Sequence, residues 1–104
     1  MKDLTVEELK QLQDSNADFQ LIDVREEFEY EFSNLGGTPI PLAEIVANQD
    51  QLSRDKQVII HCRSGKRSAQ AIQVLERAGF DNLYNLRGGI LAWKETVDPT
   101  LNVY

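Results

Sequence analysis

Two hydrophobic periodicities alternate along the chain, one typical of α-helices and the other of buried β-strands. Apolar residues recur at helical spacing over residues 5–14 and 68–78, and this spacing predicts two amphipathic helices. Short apolar runs predict strands at 19–24, 40–42, 57–62 and 82–86. Shorter helical segments are predicted at 26–31, at 42–48 and after the glycine pair that precedes Trp93.

Two local signals support the ends of the longer helices. Thr5 and Glu8 have the spacing of a capping box, and Gly79 follows the second helix as a C-terminal stop. Strands that alternate with helices indicate βαβ units, which form a parallel sheet covered by helices on both faces. We therefore predict an α/β fold with right-handed crossovers. The sequence contains no repeat or linker, so we expect one domain over residues 1–104.

The composition fits a compact cytoplasmic domain. With 104 residues, of which 41% are hydrophobic, the chain can bury one core without a disulfide or a structural metal. Its single cysteine cannot form an internal disulfide, so nothing indicates an oxidising compartment. The N-terminal residues lack the apolar run of a signal peptide, and no segment approaches membrane-spanning length. One histidine and one cysteine are too few for a typical metal site, and we expect no metal and no other cofactor.

The charge distribution contrasts a local positive cluster with an acidic chain. A formal net charge of −6 argues against nucleic acid or an anionic membrane surface as a partner. Residues 62–68 nevertheless contain Arg63, Lys66 and Arg67 and no acidic residue. Such a cluster attracts small anions, although the charge pattern alone also fits a solvated surface loop.

This segment connects the strongest predicted strand to a helix. Ligands in open α/β sheets bind beyond the carboxyl ends of the strands, and Cys62 lies at such an end. The following helix offers unpaired backbone N–H groups and the positive end of its dipole. A loop that curls around the sulfur would aim several N–H groups at it, and Gly65 provides the positive φ that such a curl usually needs.

This arrangement predicts a reactive thiol at Cys62. A free cysteine has a pKa of about 8.5, and a helix N-terminus with nearby cations lowers it to roughly 3.5–7.5. Because the thiolate is the nucleophile, these surroundings activate the residue. The alternative is a cysteine that only fills the core, as many free cysteines do. The glycine and three cations that follow Cys62 favour the reactive interpretation.

Three segments of the chain resemble rhodanese domains. They are residues 22–25 with the acidic stretch that follows, the loop 62–68, and the segment 86–93 with its Gly-Gly pair and tryptophan. The resemblance runs from about Leu4 to Lys94. It departs at residues 33–38, where Ser-Asn-Leu-Gly-Gly-Thr replaces the Gly-His-Ile-Pro-Gly-Ala of many rhodanese domains. This departure affects the expected shape of one loop.

The resemblance implies a five-stranded parallel sheet and a sulfurtransferase activity. In rhodanese domains the cysteine thiolate takes a sulfane sulfur from thiosulfate, a persulfide or a polysulfide. The resulting persulfide passes its sulfur to a thiol or to cyanide. By resemblance Cys62 is the catalytic residue, and the substrate-binding loop consists of Arg63, Ser64, Gly65, Lys66, Arg67 and Ser68. The implied partners are a small anionic sulfur donor, a thiol acceptor or a sulfur-accepting protein.

Two other functions remain open at this stage. In a cysteine-dependent phosphatase or arsenate reductase, five residues separate the cysteine from the arginine of the phosphate loop. Here four residues separate Cys62 from Arg67, which makes the ring smaller than a tetrahedral phosphoryl group requires. No motif identifies the general acid that a phosphatase needs. The other alternative is a sulfur-relay module that serves a partner protein.

The remaining distinctive residues are expected to be structural. We predict a half-buried strand position for His61, an internal ion pair for Asp23 and Arg25, and a core or lid position for Trp93. The pair Gly88-Gly89 is expected to permit a tight turn between strand and helix. The tail 100–104 is apolar enough to pack either on the domain or on a neighbour.

Overall fold

The computed structural model describes residues 1–104 as a five-stranded parallel sheet with helices on both faces. The strands are β1 (Lys2–Leu4), β2 (Phe19–Asp23), β3 (Thr38–Pro39), β4 (Gln57–His61) and β5 (Leu83–Leu86). The helices are α1 (Val6–Asp14), α2 (Glu27–Phe32), α3 (Lys66–Arg77) and α4 (Gly89–Thr96). The strand order β1-β5-β4-β2-β3 places β4 at the centre of the sheet. None of the helices combines the length and the apolar character needed to cross a membrane.

Each face of the sheet packs against its own hydrophobic cluster. Neighbouring residues of β4 alternate between the two, because successive side chains of a strand point to opposite faces. Ile60 and Cys62 belong to the cluster that includes Ala71, Ile72 and Leu75 of α3. Ile59 belongs to the cluster on the other face, which includes Leu9 of α1 and Trp93 of α4. Burial on both faces explains why β4 carries a continuous apolar run rather than an alternating one.

The predicted helix cap at Thr5 is confirmed. The Glu8 N–H donates to the Thr5 hydroxyl oxygen over 3.1 Å, and the Thr5 N–H donates to the Glu8 carboxylate over 3.0 Å. These reciprocal bonds satisfy two groups that a helix N-terminus otherwise leaves unpaired. The capping box fixes the start of α1 immediately after β1.

Three predicted element boundaries are corrected by the structure. The strand predicted at 40–42 lies at Thr38–Pro39, although the Ile40 N–H still donates to the Asp23 carbonyl oxygen. The helix predicted at 42–48 is replaced by two short 3₁₀ turns, Leu42–Glu44 and Gln49–Gln51. Helix α3 begins at Lys66 rather than at residue 68. The expected loop is therefore shorter, and its last three residues form the first turn of the helix.

The hydrophobic pattern predicted four strands and did not predict β1, the edge strand that brings the total to five. It pairs in parallel with β5, with Lys2 opposite Tyr84 and Leu4 opposite Leu86. Of its three residues only Leu4 is buried. An edge strand this short has too few apolar residues to show a period, so its pairing partner determines its conformation.

Candidate active site

Cys62 follows β4 directly, and its sulfur is enclosed by the loop that leads into α3. The Gly65 N–H donates to Cys62 Sγ over 3.1 Å, and the Ser68 hydroxyl oxygen lies 3.5 Å from the same sulfur. The Cys62 side chain is only 1% exposed. The structure thus brings together the cysteine and two of the polar groups that the sequence placed around it.

Gly65 gives the loop its curvature. Its φ of +108° lies in the left-handed region that a residue with a side chain rarely adopts, as predicted from its position. This conformation turns the Gly65 N–H back toward the sulfur and starts α3 at the next residue. Arg63, Ser64 and Lys66 point outward and are exposed, while Ser68 is fully buried. The loop therefore has a polar inner surface and a basic outer one.

The hydrogen bonds around Cys62 favour its ionised form. Burial alone raises the pKa of the Cys62 thiol, but hydrogen bonds from the Ser68 side chain and from backbone N–H groups of Ser68, Gly65 and Ser64 outweigh it. The net result is a Cys62 pKa below its ordinary value. Because the thiolate is the nucleophilic form, this environment prepares the sulfur for attack on an electrophile.

The turn between β5 and α4 packs against the loop and holds it through two backbone hydrogen bonds. The Ile90 N–H donates to the Cys62 carbonyl oxygen over 3.0 Å, and the Leu91 N–H donates to the Arg63 carbonyl oxygen over 3.1 Å. A Cβ atom on Gly89 would lie 2.5 Å from each of these carbonyl oxygens. The Gly88-Gly89 pair thus permits a tight turn, as expected, and also allows the backbone of α4 to approach the loop.

The close approach of Gly89 predicts a large effect of a single methyl group. Gly89→Ala is expected to reduce the free energy of unfolding by more than the roughly 1–3 kcal/mol that a left-handed alanine costs by itself. Gly36→Ala is the matched control, since Gly36 also has a positive φ of +83° but no atom within 4 Å of the added Cβ. Urea denaturation of both variants measures the difference. Equal losses would show that contact with the loop does not matter.

Arg67 is held by an acidic residue of α2. Its Nη1 donates to Glu29 Oε1 over 2.6 Å and its Nη2 to Glu29 Oε2 over 3.0 Å. The Arg67 guanidinium lowers the pKa of Glu29, and Glu29 in turn raises the pKa of Arg67. The guanidinium fork therefore bonds to the protein itself, whereas the resemblance to rhodanese domains implied that Arg67 belongs to the substrate-binding loop. Its positive charge still lies close enough to the Cys62 thiolate for the two to attract each other.

The C-terminal tail packs on the domain next to the loop. Arg63 Nε donates to the Tyr104 carbonyl oxygen over 2.9 Å. The Tyr104 ring makes edge-on contacts with Phe28 and Phe32 of α2, with centroids 4.9 and 5.6 Å apart. The sequence allowed the tail to pack either on the domain or on a neighbour. In the structure it packs on the domain. Arg63 consequently links the loop to the tail.

A buried ion pair stabilises the end of β2. Arg25 Nη2 donates to Asp23 Oδ2 over 2.8 Å, and both side chains are at most 1% exposed. The same guanidinium nitrogen also donates to the Ser33 carbonyl oxygen over 2.7 Å. The predicted pair between Asp23 and Arg25 is confirmed, and it ties β2 to the segment that follows α2.

His61 is fully buried, not half-buried as predicted from the sequence. It lies on the central strand opposite Asp23, and its Nε2 is 3.6 Å from Asp23 Oδ2. Burial lowers the pKa of His61, although the nearby Asp23 carboxylate opposes this shift. The position in the centre of a sheet covered on both faces explains the difference from the prediction.

The lowered pKa of His61 predicts that acid weakens the fold before most carboxylates titrate. The folded protein keeps His61 neutral, whereas in the unfolded chain it takes up a proton near its ordinary pKa of about 6.5. The unfolded state then binds more protons, so the free energy of unfolding falls as the pH drops below this value. Urea denaturation at several pH values between neutral and mildly acid should show this slope.

The matched variant for this prediction is His61→Gln, which cannot take up a proton. Its free energy of unfolding should depend less on pH in the same range, whatever its absolute stability. A slope equal to that of the unsubstituted protein would contradict the assignment to His61.

Three residues near the loop were missed as site residues by the sequence analysis. Glu29 holds Arg67, Tyr104 contacts Arg63, and Asn85 of β5 accepts the Ser68 hydroxyl over 2.6 Å. A polar residue near the carboxyl end of a buried strand was the available signal for Asn85. Glu29 lies within an acidic stretch in which its neighbours are equally good candidates, so no local signal distinguishes it.

The sulfur lies beneath the loop and not in one of the larger surface depressions. Three such depressions occur, and none of them is lined by Cys62 or by another residue of the loop. No group of three or more His, Cys, Asp or Glu side chains is arranged to hold a metal ion.

Known proteins share this sequence pattern and this architecture. A family model described as the rhodanese-like domain matches residues 5–96. The chain is 33% identical over 94 residues to a protein named "Sulfurtransferase" of Allochromatium vinosum and covers 88% of its length. It is 30% identical over 104 residues to the "Probable adenylyltransferase/sulfurtransferase MoeZ" of Mycobacterium tuberculosis, but spans only 26% of that protein.

The structural comparison gives the same result. A crystal structure of a rhodanese-like domain protein from Staphylococcus aureus superposes with a TM-score of 0.84. The two chains are 30% identical, and the match covers 100% of this chain and 99% of the other. The matched segment, the five-stranded parallel sheet and the loop after β4 lead to one conclusion. The chain belongs to the rhodanese-like domain family.

Proposed function

We propose that residues 1–104 act as one sulfurtransferase domain that carries a sulfane sulfur as a persulfide on Cys62. The observation that supports this most is the environment of the Cys62 sulfur. It accepts a hydrogen bond from Gly65, lies beside Ser68, and has a lowered pKa despite its burial. Because the single cysteine cannot form an internal disulfide, nothing indicates an oxidising compartment, and we propose that the domain acts in the cytoplasm.

The proposed reaction transfers one sulfur atom in two displacement steps. The Cys62 thiolate attacks the outer sulfur of thiosulfate, a new S–S bond forms, and the donor's S–S bond breaks to release sulfite. The enzyme then carries a persulfide anion. A thiolate or cyanide attacks the terminal sulfur of this persulfide and returns Cys62 to its thiolate form. With a persulfide as donor the leaving group is a thiolate, and with a polysulfide it is the polysulfide chain shortened by one sulfur.

The loop residues have distinct proposed roles. The exposed cations Arg63 and Lys66 attract an anionic donor, because opposite charges raise its local concentration. Backbone N–H groups of Ser64 and Gly65 and the polar inner surface at Ser68 stabilise the negative charge of the persulfide. Arg67 contributes its positive charge without direct contact, because Glu29 occupies its guanidinium fork.

The same contacts argue against a phosphatase or an arsenate reductase. Phosphoryl-transfer loops use an arginine that bonds to two oxygens of the substrate. Here both terminal nitrogens of Arg67 bond to Glu29. This contact favours sulfur over phosphate.

Intact-mass measurement after incubation with thiosulfate tests the proposal. The protein should gain one sulfur atom, and a thiol such as glutathione should remove it. An unmodified protein that hydrolyses an aryl phosphate would contradict the proposal. Rapid loading combined with negligible turnover to cyanide or small thiols would instead identify a relay module that serves a partner protein.

A further inference from the structure

Asn85 connects two groups that surround the sulfur of Cys62. It lies on β5, beside the central strand, opposite Ile60. Its Oδ1 accepts the Ser68 hydroxyl over 2.6 Å, and its Nδ2 donates to the Gly65 carbonyl oxygen over 3.2 Å. Asn85 thus contacts two of the residues whose polar groups approach Cys62 Sγ, namely Gly65 and Ser68.

The direction of these hydrogen bonds follows from the chemistry of the groups. A backbone carbonyl oxygen can only accept, so the Asn85 amide must turn its Nδ2 toward Gly65. Its Oδ1 then faces Ser68 and can only accept, so the Ser68 hydroxyl must donate. The short distance of 2.6 Å indicates a strong bond.

The Ser68 hydroxyl therefore has one hydrogen and two competing acceptors. Asn85 Oδ1 lies 2.6 Å away and Cys62 Sγ lies 3.5 Å away. While Cys62 is a thiol, its own hydrogen can point at the Ser68 oxygen, and all three groups are satisfied. When Cys62 is a thiolate, the sulfur can only accept, and it competes with Asn85 for the Ser68 hydrogen.

We propose that Asn85 is a positioning residue that holds the Ser68 hydroxyl hydrogen while Cys62 is protonated and yields it to the sulfur when Cys62 ionises. The thiol proton leaves for solvent, and the hydroxyl hydrogen rotates from Asn85 Oδ1 to Cys62 Sγ. No covalent bond changes at Ser68 or Asn85. This inference rests on the proposed function, since it concerns the ionisation of the sulfur that would carry the persulfide.

The competition reduces the stabilisation that Ser68 gives to the Cys62 thiolate. The bond from the Ser68 hydroxyl to the sulfur stabilises the thiolate, but forming it requires breaking the bond from the same hydroxyl to Asn85. Without Asn85 this opposing cost would be absent. The contribution of Ser68 to thiolate formation should therefore be larger when Asn85 is removed.

The loop should keep its shape when Asn85 is truncated. The Gly65 carbonyl oxygen also accepts the Ala69 N–H over 3.2 Å, a bond that belongs to the start of α3. The Gly65 N–H continues to donate to Cys62 Sγ. Loss of the Asn85 amide thus removes one of the two hydrogen bonds to the Gly65 carbonyl oxygen and frees the Ser68 hydroxyl.

The charged and titratable groups around the loop do not change in the test. They are Arg63 on the loop, Lys66 and Arg67 at the start of α3, Glu29 on α2 as the partner of Arg67, and the buried His61 on β4. Because all variants retain these residues, their electrostatic contributions cancel in a comparison of four proteins.

The test is a double-mutant cycle on the ionisation of Cys62. The unsubstituted protein, Ser68→Ala, Asn85→Ala and the double variant are titrated by the ultraviolet absorbance of the thiolate. Cys62→Ser provides the blank, and the single cysteine makes the signal unambiguous. Ser68→Ala should lower the ionisation constant in both backgrounds. The decrease should be larger in the Asn85→Ala background by about threefold or more, the scale of one net hydrogen bond.

Two outcomes would overturn the inference. An equal effect of Ser68→Ala in both backgrounds would show that Asn85 and Ser68 act independently. A smaller effect in the Asn85→Ala background would show that Asn85 aids the bond from Ser68 to the sulfur instead of competing with it. Gln70→Ala, which removes an exposed amide from α3, is the control and should leave the Ser68→Ala effect unchanged.

This measurement is independent of sulfur transfer. If thiosulfate fails to load the unsubstituted protein while the cycle shows the expected coupling, the proposed function fails and the hydrogen-bond competition stands. If loading succeeds and the cycle is additive, the proposed function stands and the role of Asn85 fails. Far-ultraviolet circular dichroism of each variant verifies that it is folded.

Discussion

Cys62→Ser is expected to take up no sulfur from thiosulfate under conditions in which the unsubstituted protein is fully loaded. Serine keeps the size of the side chain and its place beneath the loop, but its hydroxyl remains protonated at neutral pH and forms no persulfide. Cys62 is the only cysteine in the chain, so the loss should be complete. Intact mass after incubation provides the measurement.

A matched variant separates the loop environment from the mere presence of a thiol. The double variant Cys62→Ser, Ser64→Cys moves the single cysteine to an exposed position of the same loop. This thiol lacks the bond from Gly65 that favours the thiolate, so its ionised fraction and its loading rate should fall by about tenfold or more, the scale of one hydrogen bond to a charged group. Loading from thiosulfate at the original rate would show that the loop does not activate Cys62.

The second large effect is expected at the buried ion pair of β2. Arg25→Met should reduce the free energy of unfolding by about 3–5 kcal/mol, because it leaves the Asp23 carboxylate buried without its partner. Both side chains are at most 1% exposed, so solvent cannot compensate for the lost pair. The substitution also removes the bond to the Ser33 carbonyl oxygen. Urea denaturation measures the loss, or the variant fails to fold.

Arg87→Met is the control for this prediction. Arg87 pairs with Asp3 at 3.5 Å, but the two side chains are 67% and 41% exposed, so its loss should cost about 0–1 kcal/mol. The double variant Asp23→Asn, Arg25→Met removes both buried charges and should recover part of the stability. If Arg25→Met costs no more than Arg87→Met, the buried pair does not stabilise the fold.

The elements nearest the sulfur could be predicted from sequence because they are formed by consecutive residues. The apolar run of β4 and the helical period of α3 place Cys62 between a strand and a helix. Gly65 indicates the turn, since few other residues adopt its φ of +108°. These are local properties, and each depends on residues a few positions apart.

Strand β1 and the burial of His61 could not be predicted in the same way. Three residues, of which one is buried, carry no detectable period, and β1 exists because β5 offers an unpaired edge. His61 ends a strand whose apolar pattern is clear, but its burial depends on the central place of that strand. In both cases strand order, and not composition, determines the result.

The sequence by itself determined the α/β class, the position of Cys62 and the glycine that curves the loop around it. These follow from short-range periodicity and backbone conformation. Only the tertiary structure decided which residues contact the loop. Glu29 binds Arg67, Asn85 accepts the Ser68 hydroxyl, and Gly89 packs against the Cys62 carbonyl oxygen. Each contact joins residues far apart in the chain, and the order of the strands and the packing of the helices set their distances.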